Sequence, residues 1–196
     1  MAIVGLTGNL ASGKSSVTKL LKSKGAVIFD SDKMVHSYYK YKKGEVFKKI
    51  ARSFPQCQES GRILRNKLRR EVFSDPKKLK RLENIIHPRV IKDLLIWIKK
   101  SKNKNKIYVA EVPLLFEKGL TKHFEKIILV EAKKDILIKR ISEKYDLSKI
   151  QARHRLSLYI PLKEKRRKSN FIVKNNFDFK ALQKEVDLLW KKLSLN

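Results

Sequence analysis

The chain has 196 residues, with 48 Lys or Arg against 19 Asp or Glu, and a formal net charge of +29. That length suits one compact domain with insertions, and the lack of any run of about 18 apolar residues excludes a membrane-spanning helix. Cys57 is the only cysteine, so an intrachain disulfide is excluded, which fits a reducing cytoplasm.

The first expected strand is Ala2 to Thr7. The strand pattern is already present at Met1-Ala2-Ile3-Val4, which leaves no room for a cleavable signal. The strand runs into Gly8-Asn9-Leu10-Ala11-Ser12-Gly13-Lys14-Ser15, the glycine, Lys and Ser spacing of a P-loop. Helical spacing of Val17, Leu20 and Leu21 follows, giving the strand–loop–helix setting that the motif requires. Gly8 and Gly13 let the backbone approach a bulky anion. The loop N–H groups form an anion nest, to which the start of the helix adds its positive dipole end. Lys14 is placed to reach the β- and γ-phosphates, and the Ser15 hydroxyl to join a Mg²⁺ shell. The loop is expected to bind a nucleoside triphosphate.

The second strand, Val27 to Asp30, ends in Asp30-Ser31-Asp32. Open α/β sheets place their ligands at the carboxyl ends of strands. One of these acids can take a proton from a hydroxyl nucleophile, and one can hold Mg²⁺ through water. Capping of the next helix is the competing role, and both hold if Asp30 caps while Asp32 does chemistry. A long insertion, 33–105, shows helical patches at Val46 to Phe54, Leu64 to Phe73 and Leu79 to Ile98, and no convincing strand. Ser74-Asp75-Pro76 signals a helix start, and His87-Pro88 predicts a bend or break. Ser101 to Lys106 reads as a polar connector. Since a βαβ crossover needs only about a dozen residues, the excess predicts a helical subdomain that holds a second substrate.

The third strand, Ile107 to Val112, carries Glu111, where an acid supports Mg²⁺, and leads into Pro113-Leu114-Leu115-Phe116-Glu117. Glu117 is a candidate for a polar group of a substrate. Lys126 to Val130 and Phe171 to Val173 are the remaining strands. The segment 139–169 between them is helical, basic and suited to a mobile lid. Arg140, Lys144, Arg153 and Arg155 lie in or beside it, and Arg140 is the best candidate to stabilise charge on a moving phosphoryl group. Phe179, Leu182, Val186, Leu189 and Leu193 make the apolar stripe of a last helix, with Asp178 near its start. The alternation of strands and helices makes this an α/β protein with a mostly parallel sheet.

The ordered set of motifs resembles the dephospho-CoA kinase family nearly end to end. Gly5-Leu6-Thr7-Gly8 through Gly13-Lys14-Ser15 is similar to that family's GLTGGIGSGKS, and Asp30-Ser31-Asp32 to its DAD. Gly61 to Phe73 resembles its DG-L-R--LR--VF segment, His87-Pro88 its HP pair, Pro113 to Glu117 its PLLFE, and Asn175 its Asn after the last strand. The resemblance implies a P-loop NTPase three-layer fold with a five-stranded parallel sheet, a helical CoA subdomain and a lid, all within a single kinase domain spanning 1–196. It implies transfer of phosphate from ATP to the 3′-hydroxyl of dephospho-CoA with Mg²⁺. By the same likeness Gly8, Ala11, Ser12, Gly13, Lys14, Ser15, Ser16 and Asn175 hold ATP. Asp32, Arg69, His87, Leu114 and Glu117 serve the acceptor, and Arg140 is the Arg before the lid. His87 equally suits helical packing.

Asn9 and Ala11 depart from glycines, Lys144 from a lid Arg, Tyr159 from a Gln, Asn170 from an Asp and Glu111 from an Asp. The expected partners are the two small substrates, with no membrane and no specific nucleic acid, and the expected state is a monomer or weak homo-oligomer. Two alternatives stand beside this: a P-loop kinase for another acceptor, such as a nucleoside monophosphate or shikimate, and a basic nucleic-acid-binding protein. Against the second, the basic residues are 36 Lys to 12 Arg and are spread along the chain.

Overall fold

The computed structural model describes residues 2–103 and 105–194. In chain order come strand β1 (Ala2–Gly8), helix α1 (Lys14–Ser23), strand β2 (Val27–Asp30), and helices α2 (Ser31–Lys40) and α3 (Glu45–Ser53). Two short strands, β3 (Gln58–Glu59) and β4 (Arg62–Ile63), precede α4 (Arg65–Phe73) and the long α5 (Pro76–Lys100). Then follow β5 (Ile107–Glu111), β6 (Lys126–Glu131), α6 (Lys134–Tyr145), α7 (Lys149–Ser157), α8 (Leu162–Arg167), β7 (Phe171–Lys174) and α9 (Phe179–Ser194). The chain divides into two compact units, Asp30–Lys99 and the segments on either side of it. No helix among the described residues is long and apolar enough to cross a membrane.

The flanking segments build a five-stranded sheet in the order β2-β5-β1-β6-β7. β1 pairs in parallel with β5 and β6, and β6 with β7. Central parallel strands are covered on both faces and so read as continuous apolar runs; every residue of β1 after Ala2 is buried. Val4, Leu6, Val109, Ile128 and Val130 pack with Val17 and Leu21 of α1 and with Leu182, Val186, Leu189 and Leu193 of α9. Phe179 was expected in that stripe but is 60% exposed. It is the first residue of α9, a turn ahead of Leu182, the first to reach the core. Asp178 Oδ1 accepts from Ala181 N at 2.8 Å, the expected carboxylate at a helix start.

The Asp30–Lys99 unit has its own core of Tyr38, Val46, Phe47, Ile50, Phe54, Cys57, Ile63, Leu68, Val72, Leu82 and Ile86. Two expectations fail here. The insertion does contain strands: β3 and β4 form an antiparallel ladder joined at Ser60-Gly61, both with positive φ, the backbone of a tight hairpin turn. Strands of two residues are too short to show an alternating pattern. Of the bend or break predicted at His87-Pro88, the break is absent, since α5 runs unbroken through Pro88. Proline removes one helix hydrogen bond, and burial of Leu82 and Ile86 on one side of it and Leu94 on the other outweighs that loss. The start signal at Pro76 holds, with Asp75 Oδ1 accepting from Lys77 N at 2.8 Å. In the connector Ser101 to Lys106, Lys104 lies outside the described residues, as does Met1 of the first strand pattern.

Candidate active site

β1 is the central strand, so its carboxyl end delivers the loop 8–13 to the middle of the sheet edge where open α/β folds bind ligands. Gly13 is the N-cap of α1 at φ +94, and a Cβ there would overlap the side-chain amide of Asn175. Gly8 needs its bareness for a different reason: a Cβ would run into the Val130 carbonyl. Ser12 N donates to Asn9 O at 3.2 Å, and Ser16 N and Val17 N donate to Gly13 O at 3.0 and 3.2 Å. Lys14 Nζ donates to Gly8 O at 3.0 Å and Asn9 O at 3.1 Å, which folds its charge back over the start of the loop. Ala11 holds φ +59, so a residue with a Cβ takes the left-handed backbone here. Asn175 reaches the loop from the end of β7, its Nδ2 donating to Ser12 O at 2.9 Å within the interior. Asn175 therefore acts on the shape of the loop.

Beneath the loop, Glu111 at the end of β5 is 2% exposed. Its Oε1 accepts from Ser15 Oγ at 3.2 Å and its Oε2 from Thr18 Oγ1 at 2.7 Å. The Lys14 carbonyl lies 2.9 Å from the same Thr18 Oγ1, a second acceptor for its one O–H, and the shorter approach is that to Glu111. Ser15 and Glu111 thus present hard oxygen donors side by side, which fit Mg²⁺. That ion keeps several waters and takes phosphate oxygens alongside one or two protein groups. Among the described residues no group of three or more His, Cys, Asp or Glu is assembled to hold a metal. Sequence reasoning missed Thr18. The available signal was its spacing, three after Ser15 and four after Lys14, which puts all three on one helix face.

Leu114 is half-buried in the turn after β5, where its carbonyl accepts from Lys118 N at 3.0 Å. At the end of that turn Glu117 pairs with Lys165 of α8. Next to it, Arg166 grips Glu131 at the end of β6 with two hydrogen bonds, Nε to Oε2 at 2.7 Å and Nη2 to Oε1 at 2.8 Å. These bonds push the Arg166 guanidinium further above its ordinary value. Arg140 lies on α6 with Nη1 buried and without a hydrogen-bond partner among the described residues. Arg155 and Lys144 both lie over the Tyr145 ring, at 4.4 and 5.5 Å from its centroid. Asn170 departs from the family's Asp without loss, since its Oδ1 accepts from Ile127 N at 2.8 Å as a carboxylate would.

Asp32, Arg69 and His87 belong to the helical unit. Asp30 caps α2, its Oδ1 accepting from Lys33 N at 3.0 Å, so the capping role falls to Asp30 and Asp32 is left exposed in the first turn. Arg69 is exposed on α4, 6.0 Å from the Phe73 ring centroid, and His87 is half-buried on α5.

A parallel sheet whose central strand opens into a P-loop, with a buried acid at the end of the next strand touching the loop's serine, defines a P-loop kinase. The chain belongs to the dephospho-CoA kinase family, whose model matches residues 2–180. The dephospho-CoA kinase of Aquifex aeolicus is 31% identical over 196 residues, 99% of this chain and 98% of that protein. That of Fusobacterium nucleatum is 34% identical over 190 residues, 94% and 95% of the two chains. The solved structure of dephospho-CoA kinase from Campylobacter jejuni is similar with a TM-score of 0.71 at 26% identity, covering 98% of this chain and 97% of that one.

Proposed function

We propose that the chain transfers the γ-phosphoryl group of ATP to the 3′-hydroxyl of dephospho-CoA, giving CoA and ADP, the last step of coenzyme A synthesis, in the cytoplasm. The observation that carries this is the Ser15–Glu111 contact beneath a P-loop, in a chain that matches the family over residues 2–180. The loop segment from Ala11 to Ser16 and the Lys14 ammonium hold the phosphates. Bound Mg²⁺ supplies neutralisation of the β- and γ-oxygens. Ser15 would hold the ion, and Glu111, which orients the Ser15 hydroxyl, would support it. Asp32 positions the acceptor hydroxyl and takes its proton as the new P–O bond forms and the bond to the β–γ bridging oxygen breaks. Arg140, whose buried Nη1 has no acceptor among the described residues, meets the negative charge spread over the phosphoryl oxygens.

In this reading the helical insertion, 33–105, supplies acceptor contacts through Arg69 and His87, and Leu114 and Glu117 add theirs from the turn after β5. The segment 139–169 closes over the phosphates, and the chain works as a monomer or weak homo-oligomer. The test is an acceptor panel with ATP and Mg²⁺: dephospho-CoA, nucleoside monophosphates and shikimate. ATP-dependent CoA formation is the expected result. Turnover of a nucleotide or of shikimate with none of dephospho-CoA sinks the assignment.

A further inference from the structure

Lys165 is 0% exposed and heads the fully buried side chains by size. Its Nζ stands 2.9 Å from Glu117 Oε1 and 5.4 Å from the centroid of the Tyr159 ring. The approach is an ion pair without hydrogen-bond alignment: neither buried oxygen of Glu117, nor Lys165 Nζ, has a hydrogen-bond partner among the described residues. An ammonium buried this deeply is costly, and a well-packed apolar residue of similar volume would usually hold a helix in place as well or better. Helix α8 already has its own anchor in the two bonds from Arg166 to Glu131. The charge on Lys165 is therefore superfluous for attaching α8, and what it does touch is Glu117.

We propose that Lys165 is a positioning residue for the acceptor: its charge neutralises the buried Glu117 carboxylate and so fixes the turn after β5, which the reading above assigns to dephospho-CoA. The Lys165 ammonium compensates the buried carboxylate, so the turn keeps a single conformation for the acceptor to meet. This inference rests on the function proposed above.

Steady-state kinetics on the full chain separates positioning from packing. In Lys165→Met the KM for dephospho-CoA is expected to rise about tenfold while the KM for ATP stays within about twofold, a split that general loss of packing does not produce. In the double variant Lys165→Met/Glu117→Gln the acceptor KM should equal that of Glu117→Gln alone, because a residue acting through Glu117 adds nothing once the carboxylate is gone. A wild-type acceptor KM in Lys165→Met, or a defect that adds in full to that of Glu117→Gln, overturns the inference. If Lys165→Met does not fold, the double variant buries no unpaired carboxylate and carries the comparison: equality with Glu117→Gln supports positioning, and a further rise in acceptor KM overturns it. Wild-type protein that forms no CoA from ATP and dephospho-CoA sinks the proposed function, and this inference with it. Wild-type turnover beside an unaffected Lys165→Met removes Lys165 alone.

Discussion

Glu111 accepts from Ser15 and Thr18 while almost fully buried, so removing either donor takes a hydrogen bond from a charged group in the interior. Thr18→Val keeps the shape and deletes the shorter of the two bonds. A hydrogen bond to a buried charged group contributes about 1.5–3 kcal/mol, and denaturant unfolding should show a loss of that order. The Mg²⁺ concentration for half-maximal activity should also rise several-fold, because Glu111 would no longer be fixed beneath Ser15; an unchanged Mg²⁺ titration would separate Thr18 from the metal. Ala11 tests the departure from glycine. Its left-handed φ costs about 1–2 kcal/mol relative to a relaxed residue, while glycine there would loosen the unfolded chain by about 0.4–1 kcal/mol and lose the contact of its methyl with the Leu137–Ile141 cluster. The terms nearly cancel, so Ala11→Gly should move stability by less than about 1 kcal/mol and leave the KM for ATP unchanged, as a melting curve and initial rates will show. Asp32 is exposed on the first turn of α2 while Asp30 does the capping. Asp32→Asn should therefore leave melting behaviour and ATP affinity close to wild type, yet cut kcat by about 100-fold or more, the usual contribution of a general base. An unaltered kcat takes Asp32 out of the chemistry.

Among elements, α8 stands apart from the rest of the proposed lid. Arg166 ties it to the end of β6 with two hydrogen bonds, the firmest side-chain attachment within that segment among the described residues. In the helical unit, Tyr38 of α2 donates to Asp93 Oδ2 of α5 at 2.6 Å, and Arg89 Nε donates to both oxygens of the same carboxylate at 3.0 Å. Burial first, and then the bond to Asp93, push the Tyr38 hydroxyl far above its ordinary value. Tyr39 is also raised by burial. A group whose folded pKa lies above its unfolded value of about 10 stabilises the fold below that pH, and the contribution fades as pH climbs toward the folded value. Stability should thus fall above about pH 10, and Tyr38→Phe should flatten part of that fall while costing about 1.5 kcal/mol at neutral pH; urea midpoints at pH 8 and 11 measure both. The sheet and its end helices were legible because long apolar runs and a four-residue stripe carry period directly into burial. The hairpin at Ser60-Gly61 was not, because two-residue strands hold no period, and α5 was misjudged because a local proline penalty was weighed without the burial of Leu82, Ile86 and Leu94. The loop, Asp30 and Glu111 could be read from their places at strand ends. Lys165 could not, since one buried lysine within Lys163-Glu164-Lys165-Arg166-Arg167-Lys168 looks like its solvated neighbours.

For the whole molecule the dominant fact is the charge of +29, carried by 36 Lys and 12 Arg against 19 acids. Such a surface attracts any polyanion through counterion release, and that attraction weakens steeply with salt. It also repels itself, which opposes the compact state. Small anionic substrates gain a faster approach from the same field, but in the function proposed above the ATP phosphates are held by backbone N–H groups of the loop and by Lys14. The two kinds of binding must therefore separate on a salt axis. Retention on double-stranded DNA or heparin should be strong at about 50 mM salt and largely lost by about 200 mM. CoA formation should continue across that range with the KM for dephospho-CoA rising only a few-fold, and the melting temperature should climb as repulsion is screened. Parallel chromatography, kinetics and thermal unfolding on one preparation measure all three. DNA retention that persists well above 200 mM, alongside loss of CoA formation, would show that the surface charge is built for nucleic acid. Release of DNA with turnover intact assigns it to general electrostatic steering around a small-molecule site.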